Sequence, residues 1–301
     1  MRFIDESEVR RLLEWRPLID AMAAALAEFS AGKVIQPVRN MITIEEGRRY
    51  LGIMPAVAER AMGLKLVSFY PGNAGTAVPT HLGLIILSRP DTGEPLAVLD
   101  GRLITEMRTA AVSAAVTRHL APAATPVLAL LGSGVQAAAH LEALACVRTF
   151  REVRVWSRTA ANAKKFADEH KIAAAPTVEA AVRDADVIVT ATNALEPFLR
   201  GAWVKPGALI NAVGSPRPTW RELDDALMRG AALVVDSREA VLKEAGDVIL
   251  SGATILGEAG DFFAGKIAKP AAGTTIVFKS VGIAAEDLAA AALVYRMAEK
   301  A

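Results

Sequence analysis

Three small residues in the run LALLGSGVQA carry the first pattern with chemical meaning: Gly132, Gly134 and Ala137 spell G-x-G-x-x-A between an apolar strand-like stretch and a helical stretch that opens at Val135. In that setting the first glycine permits a tight turn and the second lets backbone approach a pyrophosphate. The small third residue keeps the helix close to the sheet, and the helix N-terminus offers N–H groups to phosphate oxygens. A dinucleotide is the expected ligand. Chains that bind NAD place an acidic residue about 20 positions on, where it accepts from the ribose hydroxyls. Here that place reads Ser157-Arg158-Thr159. A guanidinium between two hydroxyls suits a 2′-phosphate, so NADP(H) is expected over NAD(H). Thr190, Ala191, Thr192 and Asn193 end one later apolar run, and Val213 and Gly214 end another. Ligands of parallel sheets bind at such strand ends, so these residues are expected to wall the ribose and nicotinamide.

A second group consists of cations in apolar text: Arg39 in QPVRN, Lys65 in MGLKLVSFY and Arg108 in TEMRTAAVSAA. Burying a lone cation is costly unless an anion or hydrogen bonds compensate it. Either the three line a carboxylate pocket, or they snorkel or pair internally. His81, in PTH beside a Gly/Pro loop, is a further candidate. His119, His140 and His170 show no paired spacing and read as surface or core residues. Metal-ligand spacings, a GxSxG turn and a Cys–His signature are absent, and the lone Cys146 excludes an intrachain disulfide.

The elements that must position these groups follow from periodicity. Apolar residues at helical spacing over 6–29 predict one or two helices, with Pro17 at a break or in a first turn. VIQPVRNMITI, YLGIMPA, GLKLVSFY, THLGLIILS and PLAVLD predict a mostly antiparallel sheet. Residues 105–120 and 284–301 read as Ala-rich helices, with Arg108 opening the first. Between them VLALL, VRVW, DVIVTAT, ALINAVG, AALVVD and TTIVFKS alternate with helical stretches, as buried parallel strands do. The fold class expected is α/β: a doubly wound Rossmann domain over 118–280, plus an α+β domain over 1–117 with 281–301. With 34 Lys+Arg against 33 Asp+Glu, a strongly basic nucleic-acid binder is excluded on global charge. The opening MRFIDESEVRRLLEW has no apolar signal core and no later run suits a bilayer, so a cytoplasmic protein with no membrane or nucleic-acid partner is expected.

Taken in order, QPVR, YLGIMPA, KLVSFY, VPTH, DGRLITEMRTAAVSA, LGSGVQA, VWSRT, INAVG, KEAGDV and VFKSVG resemble the ornithine cyclodeaminase/mu-crystallin family. WRELDD and LKEAGDVILSG point to its mu-crystallin (ketimine reductase) branch. The resemblance covers about residues 6–297. It implies a homodimer whose first domain supplies the interface and the substrate pocket. Arg39, Lys65 and Arg108 then match carboxylate-binding residues, and Glu244 matches a residue of the ligand pocket. Thr80 and His81 match residues beside the nicotinamide and its phosphates. Ser133, Val135, Gln136, Ser157, Arg158, Thr159, Asn162, Thr192, Asn193, Val213 and Ser280 match dinucleotide contacts. One departure matters: cyclodeaminases resembling this chain carry an Asp two residues after the AVG motif, where Pro216 stands here. Proline can neither take a proton nor orient water.

The resulting expectation is NADPH-dependent reduction of small cyclic ketimines bearing a 2-carboxylate, such as Δ1-pyrroline-2-carboxylate or Δ1-piperideine-2-carboxylate. Glu244 stabilises the iminium or helps supply its proton, with water or His81 as the other sources. The alternatives are an alanine dehydrogenase-like or cyclodeaminase-type amino-acid enzyme, and an NADPH-regulated binder of a thyroid-hormone-like small molecule.

Overall fold

The computed structural model describes residues 1–300, which form one unit from Met1–Arg108 with 282–300 and another from Thr109–Val281. The chain opens with β1 (Arg2–Ile4), α1 (Glu6–Leu12), α2 (Trp15–Ser30), β2 (Asn40–Glu45), β3 (Arg49–Ala58), β4 (Ala61–Phe69), β5 (His81–Ser88) and β6 (Pro95–Asp100). Helix α3 (Gly101–Leu120) carries it into the second unit. There follow β7 (Val127–Leu131), α4 (Val135–Ala145), β8 (Glu152–Trp156), α5 (Ala160–His170), β9 (Ala173–Ala174), α6 (Val178–Val182), β10 (Val187–Thr190) and β11 (Leu209–Ala212). The unit is completed by α7 (Asp225–Gly230), β12 (Ala232–Val235), α8 (Arg238–Glu244), α9 (Gly246–Ser251), β13 (Ile255–Glu258), α10 (Ala259–Phe263) and β14 (Ile276–Lys279). Helix α11 (Ala284–Ala298) then returns to the first unit.

In the first unit the sheet runs β1-β6-β5-β4-β3-β2, antiparallel except for β1 against β6. Helix α11 packs on β3, β4, β5 and α2. Its alanines let helix and sheet approach closely: Ala284, Ala285, Ala290, Ala291 and Ala292 are all buried. Tyr50, Met54, Ala56, Lys65, Ile85 and Leu87 are buried on the sheet. Pro17 lies in the first turn of α2, where its missing N–H removes no helical hydrogen bond.

In the second unit the sheet is wholly parallel, ordered β13-β12-β14-β11-β10-β7-β8-β9. The order reverses at β7, whose neighbours are β8 and β10. Such a switch point is where doubly wound sheets bind ligands. Leu128–Leu131 and Val187–Val189 are at most 1% exposed, which explains their unbroken apolar text.

Several expectations are corrected. The stretch 36–39 is not strand, because Pro37 has no N–H to give a ladder; pairing is confined to a bridge at Ile35 and to β2. Helix α3 starts four residues earlier than 105, because Asp100 Oδ1 caps the N–H groups of Arg102 and Leu103 at 3.0 and 3.1 Å. Arg108 therefore sits two turns inside the helix and does not open it. Strands β1, β9 and β13 were not expected.

The second unit also buries a histidine. His140 Nδ1 donates to the Gln136 carbonyl at 2.7 Å, and Nε2 lies 2.9 Å from the Ser113 hydroxyl, which donates to it. Burial pushes His140 down to about 4, with the bond to Gln136 opposing the shift. A folded pKa below the unfolded value of about 6.5 means the unfolded chain takes up the proton first. The stability held by the neutral ring is full above pH 6.5 and is lost as pH falls towards 4, by about 3 kcal/mol. Urea denaturation across that window should show this loss in the wild type and a shallower slope in His140→Gln; equal slopes would show that His140 is not the titrating group.

Candidate active site

The three sequence-singled cations of the first unit gather at the N-terminus of α11. Lys65, on β4 between Met54 of β3 and Ile85 of β5, is 2% exposed, and its Nζ lies 2.8 Å from Asp287 Oδ2. Arg108 is held by two carboxylates: Nε donates to Asp287 Oδ1 at 2.9 Å, and Nη1 donates to Glu286 Oε2 at 2.6 Å. Arg39 Nη2 donates to the Gly282 carbonyl at 2.9 Å. Gly282 has φ +78°, and a Cβ there would stand 2.5 Å from Arg108 Nη1. Only glycine combines that turn with that approach.

Two buried carboxylates thus face these cations, so the internal pairing that the sequence left open is present for Lys65 and Arg108. Burial pushes Lys65 down to about 8, against the pull of Asp287. Burial raises the Asp287 carboxyl, but Arg108 and Lys65 outweigh it and hold it below the usual range. Thr80 and His81 lie at the start of β5, with Thr80 Oγ1 3.2 Å from His81 Nδ1 and the imidazole stacked on Phe69 at 4.4 Å.

In the second unit the expected cofactor residues line one sheet edge, the carboxyl ends of β7, β8, β10, β11 and β14. Gly132, after β7, has φ +121°, and a Cβ would stand 2.6 Å from the Ala191 carbonyl oxygen across the switch point. Ser133 follows it. Gly134 is the N-cap of α4, no side chain caps it, and open space lies where its Cβ would be. Val135 and Gln136 form the first turn of α4, and Ala137 is buried beneath. These are the features a pyrophosphate cradle needs. After β8, Ser157 is half-buried, while Arg158, Thr159 and Asn162 are exposed. Thr192 and Asn193 follow β10, Val213 follows β11, and Ser280 follows β14 with its hydroxyl donated to Asp236 at 2.8 Å. Glu244 ends α8, half-buried. Pro216 is exposed beside Ser215, whose φ is +49° and whose hydroxyl donates to the Ala194 carbonyl at 2.7 Å. Among the described residues, no group of three or more His, Cys, Asp or Glu is placed to hold a metal ion.

A buried network beneath this edge was not foreseen. Glu222 accepts from the Thr190 hydroxyl, the Thr192 N–H and the Thr192 hydroxyl at 2.7, 2.8 and 2.7 Å. Asp247 Oδ1 accepts from the N–H groups of Glu222 and Leu223 at 2.8 and 3.0 Å. Lys279 Nζ donates to Asp247 Oδ2 at 2.9 Å and to the Gly214 carbonyl at 2.7 Å. Burial raises Glu222 above the usual carboxylate range, opposed by Lys279 and reinforced by Asp247. The network ties together the ends of β10, β11 and β14. Its signal in the sequence was three charged residues inside the WRELDD, KEAGDV and VFKSVG runs.

Asp247→Ala would strand the buried Lys279 charge and two backbone N–H groups. The loss expected is about 3–5 kcal/mol, read by urea denaturation. A loss below about 1 kcal/mol would mean that water or a neighbour replaces the carboxylate.

Comparison with known proteins places the chain. The model of the ornithine cyclodeaminase/mu-crystallin family matches residues 2–301. The chain is 54% identical to the mouse (Mus musculus) ketimine reductase mu-crystallin over 286 residues, 92% of this chain and 91% of that one. The structure of the Thermococcus litoralis Δ1-pyrroline-2-carboxylate reductase in complex with NADH and L-proline superposes with a TM-score of 0.94 at 34% identity, covering 100% of this chain and 98% of that one. An archaeal alanine dehydrogenase dimer with bound NAD superposes with a TM-score of 0.92 at 31% identity, over 100% and 96% of the two chains. With the glycine loop at the switch point and the paired cations in place, the chain belongs to the ornithine cyclodeaminase/mu-crystallin family.

Proposed function

We propose that this protein is an NADPH-dependent reductase of small cyclic ketimines that carry a 2-carboxylate, acting on Δ1-piperideine-2-carboxylate or Δ1-pyrroline-2-carboxylate. The observation that carries the reading is the gathering of Arg39, Lys65 and Arg108 at the N-terminus of α11, three cations suited to anchoring a carboxylate. The names of the mouse and Thermococcus relatives support the imine as the reacting group.

The chain's own task is modest. A bound reduced nicotinamide supplies the hydride. The three cations hold the carboxylate and fix the orientation of the adjacent C=N carbon, so positioning supplies much of the rate. Two electrons and a proton arrive on carbon as the hydride, and nitrogen takes a second proton. We assign the stabilisation of the iminium to Glu244, with His81 or water as the other sources of the nitrogen's proton. Gly132, Gly134 and the first turn of α4, with Ser133, Val135 and Gln136, hold the pyrophosphate. Thr192, Asn193, Val213 and Ser280 wall the remainder. Arg158, flanked by Ser157, Thr159 and Asn162, takes the 2′-phosphate and favours NADPH. The Thermococcus relative is described with NADH, so the choice rests on Arg158.

Turnover of Δ1-piperideine-2-carboxylate, followed as NADPH oxidation, should be fast and independent of added ammonia. Arg158→Ala should raise KM for NADPH by roughly tenfold or more, the loss of a charge-assisted hydrogen bond, and leave NADH nearly unaffected. Ammonia dependence would favour the alanine dehydrogenase-like reading, and tight NADPH binding without turnover would favour a binding protein. Equal losses for both coenzymes would remove Arg158 from the phosphate.

We also propose a homodimer. One face of the six-stranded sheet exposes Ile42, Leu66, Leu82, Leu84 and Ile86, each 37–43% exposed, while the other packs on α11. A sheet apolar on both faces needs a second cover. Light scattering should give twice the chain mass, and Leu84→Asp should shift it towards monomer; a monomeric wild type would overturn this reading.

A further inference from the structure

Buried carboxylates that touch the cations of the candidate site have no role in the proposed reaction, although they are as deeply buried as any group in the first unit. Asp287 and Glu286 are adjacent residues in the first turn of α11, both 0% exposed. They are set there by a short return segment. Gly282 gives Arg39 its carbonyl acceptor and leaves space for Arg108, and Gln36 Oε1 accepts the Ala285 N–H at 2.7 Å. Asp287 is the one group that touches both Lys65 and Arg108 with a full negative charge.

We propose that Asp287 is a positioning residue that keeps Lys65 a charged ammonium at neutral pH, aimed at the substrate carboxylate by the same contact that fixes Arg108. The inference rests on the carboxylate-anchor reading above, but its physical content is a property of the ligand-free protein.

The argument turns on what faces Lys65. From β3 and β5 its strand neighbours are Met54 and Ile85, which offer no charge. From α3 come the Thr105 hydroxyl, 3.4 Å from Nζ, and Arg108, whose charge opposes protonation. Arg39 opposes it too. From α11 comes Asp287, 2.8 Å away, with Glu286 engaged on Arg108. Burial and two like charges therefore all favour the neutral amine. Asp287 is the carboxylate in contact that pulls towards the ammonium, with Glu286 acting only indirectly by partly offsetting Arg108. With Asp287 present Lys65 titrates at about 8 and is mostly charged at pH 7.5. Without it the amine would be largely neutral there. A neutral amine has lost the charge that makes it an anchor.

The direct test observes Lys65 itself. The full-length protein carrying [ε-13C]lysine is titrated from pH 6 to 11, with the Lys65 resonance assigned by its loss in Lys65→Met. The wild-type midpoint should lie near 8. In Asp287→Asn it should fall by about one pH unit or more, the effect of removing an opposite charge in contact, and Asp287→Glu should restore most of the shift. In parallel, kcat/KM for the carboxylated imine at pH 7.5 should drop roughly threefold or more in Asp287→Asn, with its alkaline limb displaced to lower pH by the same interval. An unchanged Lys65 midpoint in Asp287→Asn overturns the proposal and leaves Asp287 a packing residue, whatever its Tm. Should that variant not fold, Glu286→Gln frees the Arg108 charge to act on Lys65 and should lower the midpoint by a smaller interval; no movement there overturns the proposal equally. Absence of imine turnover in a wild type whose Lys65 titrates as stated would count against the proposed substrate and leave this inference standing.

Discussion

The cost of burying positive charge is the constraint on which the first unit depends. Lys65 and Arg108 sit on a strand and a helix that pack as core elements; alone there, Lys65 would lose its charge and Arg108 would be too costly to bury. Asp287 and Glu286 make their burial possible, and both lie about 180 residues beyond Arg108 in the chain. The consequence is topological. The first unit cannot be assembled from the N-terminal segment by itself, so the chain must come back after the second unit and lay α11 across β3, β4 and β5. The discontinuous unit thus follows from the need to partner these buried cations.

The second unit solves a related problem with the same device. The loops at the carboxyl ends of parallel strands have few backbone partners of their own, yet a dinucleotide needs them in fixed places. Glu222 and Asp247 supply acceptors from beneath, and Lys279 balances their charge while gripping the Gly214 carbonyl. Gly214 has no room for a side chain, because a Cβ would overlap Glu222 and Thr192. Both units therefore use buried carboxylates to hold groups of their candidate sites in place.

How far the sequence reveals this follows from the range of the interactions. The glycine loop, the buried parallel strands and the Ala-rich helices are local patterns, so they were legible and set the α/β reading. Local patterns misled where one residue overrode them. Pro37 stops a strand that its β-branched neighbours suggest, and Asp100 starts α3 a turn before the Ala-rich text begins. Strand β13 escaped notice because Ile255–Glu258 is four residues long and contains a glycine. The cations were visible because each stood alone in apolar text. Their partners were equally anomalous, two adjacent acids in AAEDLAAAALV, but an acid in the first turn of a helix has an ordinary explanation in the helix dipole. Only the pairing across the chain reveals that these acids face inward. Glu222 and Asp247 were hidden for the same reason, each an ordinary-looking charge in a mixed run, whereas Lys279 stood in the apolar TTIVFKS strand and was passed over although it carried the same signal as Lys65.

Under the proposed function, the cations must serve a substrate carboxylate beyond their internal pairs. A cluster of three cations and three carboxylates would be self-satisfied and would pay desolvation for a ligand with nothing to gain. Three cations with no carboxylates would be too unstable to bury. With Asp287 and Glu286 in place, Lys65 and Arg108 tolerate burial in the free protein, and under the proposed function a substrate carboxylate would join them in a low-dielectric setting where each contact counts for more than in water. The carboxylates also fix the cations before ligand arrives. Lys65 and Arg108 give up their rotamer freedom on folding, so that ordering is not charged again against substrate binding. On the proposed reading, a carboxylate held this way leaves only rotation about one bond to bring the C=N carbon into register, and that remaining task is the one we assign to a third cation, Arg39 on the Gly282 carbonyl.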